Sequence, residues 1–306
     1  MANYLVTGGC GFIGSQLVDK LIEQGHDVII IDDLSNGQRI HAQATFVKQD
    51  ITQLEAIQDL FHGLDGCFHL AAIPTVALEF DQWLACHRVN LLGSLNVFKS
   101  AVDAGNVPVV YASSCAVYSN STHFPSTEAL CLQPLSAYGC DKLSTELNAH
   151  FLAHAYQHPN IGFRFFNVYG PYQQSTSPYS GVITEFITKA LTDKPLIIFG
   201  NGEQTRDFIY VQDVIHAMIK TMTQLDRRIG VVNLCTGVST SINALAMTIS
   251  TILGKQCLIE YQPNRLSDAE KSIGCVKKMN AYGFKARVDL HLGLQKTIDY
   301  HTLCQK

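Results

Sequence analysis

A tyrosine and a lysine stand four residues apart in segment 134–146, and this pair offers the clearest chemistry in the sequence. Tyr138 is the single tyrosine among the twelve that has a lysine at the fourth following position. Side chains with this spacing share one face of a helix. An ammonium group near a phenol favours the phenolate, so we expect Lys142 to lower the pKa of Tyr138. The pair would then provide a base that works near neutral pH.

A glycine-rich turn lies near the start of the chain, between a predicted strand and a predicted helix. Its glycines fit Gly-x-Gly-x-x-Gly from Gly9 and also Gly-x-x-Gly-x-x-Gly from Gly8, and both spacings end at Gly14. Glycine lets the backbone approach a pyrophosphate, which the N-terminus of the following helix attracts. The turn predicts a dinucleotide site, with a merely structural tight turn as the alternative.

An acidic residue ends the second predicted strand, Asp32, about 20 residues beyond the glycines, as dinucleotide-binding folds require. Its carboxylate can accept hydrogen bonds from both hydroxyls of an adenosine ribose. It would also repel a 2′-phosphate. Asp32 therefore predicts NAD rather than NADP as the cofactor.

The elements that must position these residues alternate between strand and helix. Strand patterns at 3–6, 28–31, 45–48 and 108–112 alternate with helix patterns that include 54–62 and 84–104. This alternation predicts an α/β fold, a Rossmann-type doubly wound parallel sheet, in which ligands lie at the carboxyl ends of the strands. The candidate residues at such ends are Gly8, Gly11, Gly14, Asp32, Asp50, Ala71, Ala72, Ser113 and Ser114. Ser114 taken alone has helix capping as an alternative role.

The composition and net charge of the chain disfavour some classes of binding partner. The chain has 306 residues, 47% hydrophobic and 16% charged, which suits one large α/β unit or two domains. A net charge of −4 without a basic run disfavours nucleic-acid and anionic-membrane partners. We recognise no secretory signal and no apolar run of membrane-helix length. The ten cysteines form no Cys-x-x-Cys pair, so we expect free thiols in a reducing compartment.

Three of the twelve histidines recur at every fourth residue, His150, His154 and His158. On one continuous helix they would share a face. No carboxylate or cysteine pattern accompanies them, so we expect a solvated or interface face, with a metal site as the alternative. We assign no metal to the chain.

Five segments resemble the extended short-chain dehydrogenase/reductases, most of all the NAD-dependent nucleotide-sugar epimerase/dehydratase family. The segments are Thr-Gly-Gly-Cys-Gly-Phe-Ile-Gly from Thr7, His-Leu-Ala-Ala from His69, Val-Asn-Leu-Leu-Gly from Val89, Ala-Ser-Ser-Cys-Ala-Val-Tyr from Ala112, and Tyr-x-x-x-Lys from Tyr138. The likeness covers nearly the whole chain. Within the family it is closest to the 4-epimerases of UDP-glucose and UDP-N-acetylglucosamine.

The resemblance implies the site residues. It implies Ser114, Tyr138 and Lys142 as the catalytic set, NAD as the cofactor and a UDP-sugar as the substrate. The residues implied to bind NAD are Gly8, Gly11, Phe12, Ile13, Gly14, Asp32, Asp33, Asn36, Asp50, Ile51, Leu70, Ala71, Ala72, Asn90, Ser113, Tyr138 and Lys142. The residues implied to bind the UDP-sugar are Ser114, Asn167, Val182, Phe199, Arg206, Arg265, Asp268 and Ser272.

The resemblance also gives roles to the residues of the second half. Arg206 and Arg265 would hold the diphosphate, because guanidinium groups suit its oxygens better than lysine does. Asp268 would meet the uridine ribose, and Phe199 would flank the uracil. For Arg206, a surface ion pair is the alternative.

We expect two domains. The first is an NAD-binding Rossmann domain of residues 1–170 plus about 211–236, and strand 231–234 should return to the main sheet. The second is a smaller C-terminal α/β nucleotide-sugar-binding domain of about 171–210 and 237–306, with a final helix near 290–302. The resemblance further implies a homodimer through helices near 84–104 and 138–158, a cytoplasmic location and a role in polysaccharide biosynthesis.

The expected activity is 4-epimerisation of a UDP-hexose through a transient 4-keto intermediate. Related dehydratases and decarboxylases carry acidic residues just after the catalytic serine or threonine, where this chain has Cys115 and Ala116. Ser272 is small where strict UDP-galactose enzymes have tyrosine, which leaves room for an N-acetyl group. We therefore expect UDP-GlcNAc and UDP-GalNAc, with UDP-Glc and UDP-Gal as a second pair. Glu79 departs from the family, which commonly has serine there.

Two other classes of function stay open. The chain could be another NAD-dependent nucleotide-sugar enzyme, namely a uronate epimerase, a 4-keto-sugar reductase or a dehydratase. It could also be a non-catalytic NAD-binding scaffold, although such proteins usually lose the tyrosine or the lysine. A reductase would consume added NADH and retain its cofactor less tightly.

Overall fold

The computed structural model describes residues 1–74, 82–119, 121–174, 181–224, 230–264 and 269–304. The chain divides into two compact units. Unit 1 comprises Met1–Asn120, Cys131–Arg164 and Ile215–Val232. Unit 2 comprises Ser121–Leu130, Phe165–Val214 and Asn233–Lys306. The domain boundaries predicted from the sequence stay a prediction.

Strands and helices alternate along most of the chain. The strands are β1 Asn3–Thr7, β2 Asp27–Asp32, β3 Thr45–Lys48, β4 Gly66–His69, β5 Val109–Ser114, β6 Asn160–Phe165, β7 Asn167–Tyr169, β8 Leu196–Phe199, β9 Thr205–Arg206, β10 Phe208–Tyr210, β11 Gly230–Leu234, β12 Thr240–Ser241 and β13 Ile259–Gln262. The helices are α1 Phe12–Glu23, α2 Leu54–Ile57, α3 Trp83–His87, α4 Ser94–Asp103, α5 Ala137–Ala155, α6 Val182–Leu191, α7 Val211–Thr223, α8 Ile242–Leu253, α9 Lys277–Ala281 and α10 Leu290–Cys304.

A seven-stranded sheet has the order β11-β6-β5-β4-β1-β2-β3. The run from β5 to β3 through β4, β1 and β2 is parallel. The order steps outward from β1 in both directions, as in a doubly wound sheet, so the carboxyl ends of β1, β2, β4 and β5 share one edge. The predicted Rossmann-type sheet is confirmed, and so is the return of segment 231–234 to it.

The core of unit 1 packs helices against this sheet. Its buried cluster includes Leu5 and Ile31 from the strands, Phe98 from α4 and Tyr111 from β5. Burying one such side chain contributes about 1.5–3 kcal/mol. Close packing also explains Gly66, because a Cβ there would lie 2.9 Å from Cε of Met222. These contacts hold the strand ends in fixed positions.

Two predicted helices differ from the structure. The helix predicted at 84–104 is interrupted, since a π-helical segment, Arg88–Gly93, lies between α3 and α4. Such segments are often found at functional sites. The helix predicted at 54–62 is only the short α2, followed by a 3-10 turn, Gln58–Phe61.

The histidine stripe does not form. Helix α5 ends at Ala155, so only two of the three histidines lie on it, and the rings of His150 and His154 are 4.2 Å apart. His158 is buried beyond the helix, with Nε2 2.9 Å from the carbonyl oxygen of Val107. The expectation of one shared face is therefore wrong.

In its described residues, unit 2 contains three two-stranded sheets with helices around them. β7 pairs with β10 and β8 with β13 in parallel, whereas β9 and β12 are antiparallel. Helices α6, α8 and α10 pack against one another. The predicted final helix is confirmed as α10. In the described part of the chain, no helix is both long and apolar enough to span a bilayer.

Candidate active site

The Tyr138/Lys142 pair lies in the first two turns of α5, in unit 1. Ser136 caps the helix, because its Oγ accepts a hydrogen bond from the backbone N–H of Gly139 at 3.0 Å. Lys142 is buried, and its Nζ donates to the carbonyl oxygen of Ala112 on β5 at 2.9 Å. The same Nζ lies 5.6 Å from the centroid of the Tyr138 ring. The helix start therefore brings both residues to the end of β5.

Ser114 joins this pair. It is the last residue of β5, and its side chain forms a hydrogen bond with Tyr138. Its Oγ also accepts from the backbone N–H of Ala116 at 3.1 Å and so caps the 3-10 turn Cys115–Tyr118. The capping role weighed for Ser114 is therefore present together with the contact to Tyr138.

The expectation of a lowered pKa for Tyr138 is wrong for the chain itself. Burial raises the pKa of Tyr138 well above its usual value. The hydrogen bond with Ser114 lowers this pKa only in part, and Cys115 raises it further. Because burial is the largest of these effects, the phenol keeps its proton at neutral pH in the chain itself.

The glycine turn forms a cradle that side chains would fill. Gly8 has a φ of +69°, and a Cβ there would lie 2.7 Å from the backbone nitrogen of Ala71. A Cβ on Gly14 would overlap the carbonyl oxygen of Gly8, and one on Gly37 would overlap that of Cys10. No side chain caps α1, so the N–H groups of its first turn, from Phe12 to Gly14, are directed out of the helix end. The cradle fits a pyrophosphate.

Asp32 lies beside this cradle at the end of β2. Its Oδ2 accepts from the backbone N–H of Cys10 at 3.0 Å and its Oδ1 from that of Leu34 at 2.9 Å. Burial raises the pKa of Asp32, its two backbone hydrogen bonds lower it, and Asp33 raises it. Each carboxylate oxygen has a second lone pair, which leaves acceptors for ribose hydroxyls. Together with the cradle, Asp32 fits NAD.

The other residues implied to bind NAD all lie in unit 1. Asp33 and Asn36 are exposed after β2. Asp50 Oδ1 accepts from the backbone N–H of Thr52 at 2.8 Å, and Ile51 is buried. Phe12 and Ile13 are half-buried at the start of α1, and Leu70, Ala71 and Ala72 are half-buried directly after β4.

A buried polar chain that the sequence did not reveal runs behind the cradle. Thr7 Oγ1 lies 2.7 Å from Nδ1 of His69, and His69 Nε2 lies 2.9 Å from Oγ of Ser94. Ser94 donates to the carbonyl oxygen of Asn90 at 2.6 Å. The Asn90 side chain in turn bonds both backbone groups of Ile73, accepting from its N–H at 2.8 Å. Asn90 thus fixes the segment after β4.

A second unrecognised network surrounds Glu146, one turn beyond Lys142. Arg164 donates to Glu146 through Nε at 2.9 Å and Nη2 at 2.6 Å, and through Nη1 to the Tyr118 hydroxyl at 2.6 Å. Ser113 donates its hydroxyl proton to Glu146. All four side chains are buried. The spacing of Lys142 and Glu146 on one helix face was a usable signal, since buried acids need partners.

Apart from Ser114, the described substrate-binding candidates lie in unit 2. Arg206 Nη1 donates to the carbonyl oxygens of Thr205 at 2.8 Å and Ala269 at 2.7 Å. The backbone N–H of Ser272 donates to the Thr205 carbonyl oxygen at 3.1 Å. Asn167 Nδ2 donates to the carbonyl oxygen of Asp207 at 3.1 Å. These contacts bring Asn167, Arg206 and Ser272 into one neighbourhood.

Phe199 and Val182 lie at the ends of other elements of unit 2. Phe199 is the half-buried last residue of β8, and Val182 is the half-buried first residue of α6, which packs on β8. The backbone carbonyl of Phe199 accepts from Gln204 Nε2 at 2.7 Å.

Three residues singled out in the sequence lie outside the described residues, namely Glu79, Arg265 and Asp268.

Asp207 is a further residue that sequence reasoning missed. Its fully buried carboxylate accepts from Thr236 Oγ1 at 2.6 Å and from the backbone N–H groups of Thr236, Gly237 and Gly274. Burial raises its pKa, and these hydrogen bonds lower it. Asp207 thereby connects the segment after Arg206 to the one that follows Ser272.

Known proteins are similar to this chain over nearly its whole length. The UDP-glucose 4-epimerase of Thermotoga maritima, solved with UDP-glucose, is 33% identical, with a TM-score of 0.93 over 99% of this chain and 100% of that chain. The UDP-N-acetylglucosamine 4-epimerase of Methanobrevibacter ruminantium, solved with UDP-N-acetylmuramic acid, is also 33% identical, with a TM-score of 0.93 over 100% of this chain and 99% of that chain. The UDP-glucose 4-epimerase of Mycolicibacterium smegmatis is 31% identical over 97% of each chain.

The family comparison covers the part of the chain that contains the cradle and Asp32. Residues 4–235 match the NAD dependent epimerase/dehydratase family. This span contains the glycine cradle, Asp32, Ser114 and the Tyr138/Lys142 pair. With more than half of its length matched, the chain belongs to the NAD-dependent epimerase/dehydratase family, and its cofactor is NAD.

Proposed function

We propose that this protein is a UDP-hexose 4-epimerase that works through a transient 4-keto sugar. Tyr138 moves the proton of the sugar C4 hydroxyl, and Ser114 hydrogen-bonds the same oxygen. Lys142 supplies a positive charge beside them. When bound, NAD supplies the hydride acceptor for oxidation at C4, the donor for its reversal, and a positive charge that favours an ionised phenol.

The raised pKa of Tyr138 fits the second half of this reaction. A phenol that holds its proton is suited to return it to the sugar oxygen at C4. For the first half, the phenol must ionise, which the Ser114 hydrogen bond and the charges supplied by Lys142 and NAD favour. Ser114 and Tyr138 together therefore act as one proton-transfer unit.

The two residues after Ser114 bear on whether the site could catalyse dehydration or 4-epimerisation. Cys115 and Ala116 form the start of the 3-10 turn that Ser114 caps, and both are half-buried. Dehydration would need an acid and a base for the C5 proton and the C6 hydroxyl. Neither Cys115 nor Ala116 has a carboxyl group, so neither can supply the acid and the base. This supports 4-epimerisation over dehydration.

The substrate assignment rests on Ser272 and on one relative. Ser272 is a small, half-buried residue in the neighbourhood of Arg206, which supports room for an N-acetyl group at C2. A relative of 33% identity is a UDP-N-acetylglucosamine 4-epimerase. We propose UDP-GlcNAc and UDP-GalNAc as substrates, with UDP-Glc and UDP-Gal as a second pair. Arg206 and Arg265 would hold the diphosphate, Asp268 and Phe199 the uridine, with Asn167 and Val182 as further contacts.

A panel of UDP-sugars followed by NMR tests this proposal. We expect interconversion of UDP-GlcNAc and UDP-GalNAc without added cofactor, and no change in total NADH. Consumption of NADH would instead identify a reductase, and conversion of UDP-glucuronate alone a uronate epimerase. Cofactor binding without turnover of any sugar would identify a scaffold.

We also propose a homodimer in the cytoplasm that serves polysaccharide biosynthesis. Leu84 of α3 and Leu147 and Phe151 of α5 are large apolar residues that are 67%, 62% and 53% exposed, and α3 packs on α5. Burial of this surface by a second copy would remove apolar area from water. In the described part of the chain, none of the ten cysteines forms a disulfide, which supports a reducing compartment.

A further inference from the structure

Asp207 has a buried carboxylate that is surrounded by hydrogen-bond donors from distant segments. The residue directly follows Arg206 and is 0% exposed. Its Oδ1 accepts from the backbone N–H of Thr236 at 2.8 Å and from Thr236 Oγ1 at 2.6 Å. Its Oδ2 accepts from the backbone N–H groups of Gly237 at 2.9 Å and Gly274 at 3.2 Å. Because these donors are neutral and mostly backbone, the carboxylate holds the course of the chain around it.

The backbone of Asp207 adds a further segment. Its carbonyl oxygen accepts from the backbone N–H of Asn167 at 3.0 Å and from Asn167 Nδ2 at 3.1 Å. Asn167 begins β7, whereas Asp207 lies between β9 and β10. Asp207 therefore joins three segments that are far apart in sequence, namely the start of β7, the turn 236–237 after β11, and the segment 269–274.

The described candidates for holding the diphosphate and the sugar lie on the segments that meet at Asp207. Arg206 precedes Asp207, and Asn167 bonds its carbonyl oxygen. Ser272 lies two residues before Gly274, which bonds its carboxylate. The positions of Asn167, Arg206 and Ser272 relative to one another thus depend on this one buried residue.

Strand pairing gives the same neighbourhood only short ladders. β9 and β12 pair over two residues each. Segment 269–274 contacts β9 through the backbone of Thr205, which donates to the carbonyl oxygen of Glu270 at 2.9 Å and accepts from the N–H of Ser272 at 3.1 Å. Such short two-stranded pairs are marginal by themselves. The hydrogen bonds of the Asp207 carboxylate therefore add support where the ladders are shortest.

We propose that Asp207 is a positioning residue for the UDP-sugar, because its carboxylate fixes Arg206 relative to the segment that contains Ser272. The inference rests on the proposed function, in which Arg206 holds the diphosphate. Since Asp207 is fully buried, it acts through its neighbours rather than on the substrate. Groups that are held in place before a ligand arrives lose less freedom when it binds, which increases affinity.

Asp207→Asn tests this role with a side chain of the same shape. The asparagine keeps one oxygen, but its NH2 group must face either the donors of Thr236 or those of Gly237 and Gly274, and these then lose their acceptor. We expect the affinity of the NAD-loaded protein for UDP, measured by calorimetry, to fall by about 10-fold or more.

Steady-state kinetics of the same variant separate positioning from catalysis. The KM for the UDP-sugar that is epimerised should rise by about 10-fold or more, whereas kcat should change by less than about threefold, because contacts to the diphosphate act equally on the ground state and the transition state. The affinity for NAD should stay unchanged. The described hydrogen-bond partners of Asp207 all lie in unit 2, whereas the glycine cradle lies in unit 1.

Asp213→Asn is the matched control. Asp213 lies in the first turn of α7 in the same unit, and its Oδ2 accepts from the backbone N–H of Val288 at 3.1 Å. Val288 belongs to none of the segments that Asp207 joins, so this variant should keep the affinity for UDP. Thr236→Val removes one donor to Asp207 and keeps the side-chain size. It should weaken UDP binding by a smaller factor, and it provides the comparison if Asp207→Asn does not fold.

Three outcomes would overturn the proposal. One is an unchanged affinity for UDP in folded Asp207→Asn, and another is a fall in kcat with an unchanged KM. The third is an equal loss of affinity for UDP and for NAD, which indicates a general loss of structure. Weaker UDP binding in a protein that epimerises no UDP-sugar would support the positioning role and reject the proposed activity instead.

Discussion

Tyr138 and Ser114 show how the site depends on single side chains. Their mutual hydrogen bond and the direction of Lys142 Nζ toward Ala112 are features of individual residues. Burial, not the neighbouring ammonium group, dominates the pKa of Tyr138 in the chain itself. Substitutions of single side chains should therefore alter proton transfer and the choice of sugar.

Tyr138→Phe removes the phenolic oxygen and leaves the ring. We expect epimerase turnover to fall by at least about 10²-fold, the usual contribution of a positioned acid–base group. Calorimetric binding of NAD and UDP-sugar should stay nearly unchanged. Tyr156→Phe, at the exposed end of α5, is the matched control and should keep full turnover. Substantial turnover in Tyr138→Phe would remove the phenol from the mechanism.

Ser272→Tyr tests the proposed space for an N-acetyl group. The bulkier side chain should lower kcat/KM for UDP-GlcNAc and UDP-GalNAc by about 10-fold or more, within the range that pocket shape can discriminate. UDP-Glc and UDP-Gal serve as the internal control in the same NMR assay. Equal losses for both pairs of sugars would refute the role of Ser272.

In this fold, the candidate site residues of unit 1 lie at the ends of strands and at the starts of helices. The carboxyl ends of parallel strands carry the glycine cradle, Asp32 and Ser114, and the starts of α1 and α5 complete the constellation. The π-helical segment Arg88–Gly93 places Asn90 against the backbone of Ile73. A change at the junction of two elements should therefore affect cofactor binding as well as stability.

Gly14→Ala tests the junction of β1 and α1. The new Cβ would overlap the carbonyl oxygen of Gly8 and lie 2.9 Å from Cα of Gly9. Because the turn must shift, we expect a loss of about 1–3 kcal/mol in the free energy of unfolding and weaker NAD binding. The measurements are urea denaturation and calorimetric titration with NAD.

The matched control is Gly254→Ala, at the end of α8. Gly254 has a φ of +64°, and a Cβ there meets no atom within 4 Å. This variant should lose about 1–2 kcal/mol through backbone strain alone. Its affinity for NAD should not change. NAD binding of normal strength in Gly14→Ala would contradict the proposed cradle.

At the scale of the whole molecule, buried polar groups connect stability to pH. Burial, and secondarily Lys142, lower the pKa of His69 to about 3. In the unfolded chain an imidazole takes up a proton below about pH 6.5. Between these values the unfolded state binds more protons, so stability falls as the pH falls through this window.

His69→Asn should flatten this dependence. A single such group changes the free energy of unfolding by about 1.4 kcal/mol per pH unit well below pH 6.5. Denaturant unfolding between about pH 7 and about pH 5 should show a smaller loss of stability in the variant. His291→Asn, which removes an exposed imidazole on α10, is the control. Equal slopes in His69→Asn and the unmodified protein would reject the argument.

The proposed dimer is the other property of the whole molecule. Phe151→Glu places a charge on the exposed apolar surface of α5 and should shift the protein from dimer to monomer in analytical ultracentrifugation. Met247→Glu changes a side chain on α8 that is 67% exposed and should stay dimeric. An unmodified protein that sediments as a monomer would reject this interface.

The sequence by itself determined the Rossmann-type sheet and the positions of the site candidates along it. Strand and helix periodicities, the glycine spacing and Asp32 are local patterns, and parallel strands bring their ends together by geometry alone. The same local patterns placed β3 and the ends of α10 within about two residues. The glycine turn and the Tyr138/Lys142 pair could be recognised from the sequence because their chemistry depends on short spacings between residues.

Only the tertiary structure decided the environments of these residues. The partner of Lys142 Nζ, the burial that raises the pKa of Tyr138, and the pairing of Glu146 with Arg164 join residues far apart in sequence. The π-helical interruption at Asn90 was likewise not predicted from local spacing. Desolvation and long-range hydrogen bonds depend on which side chains meet, and no local pattern specifies that.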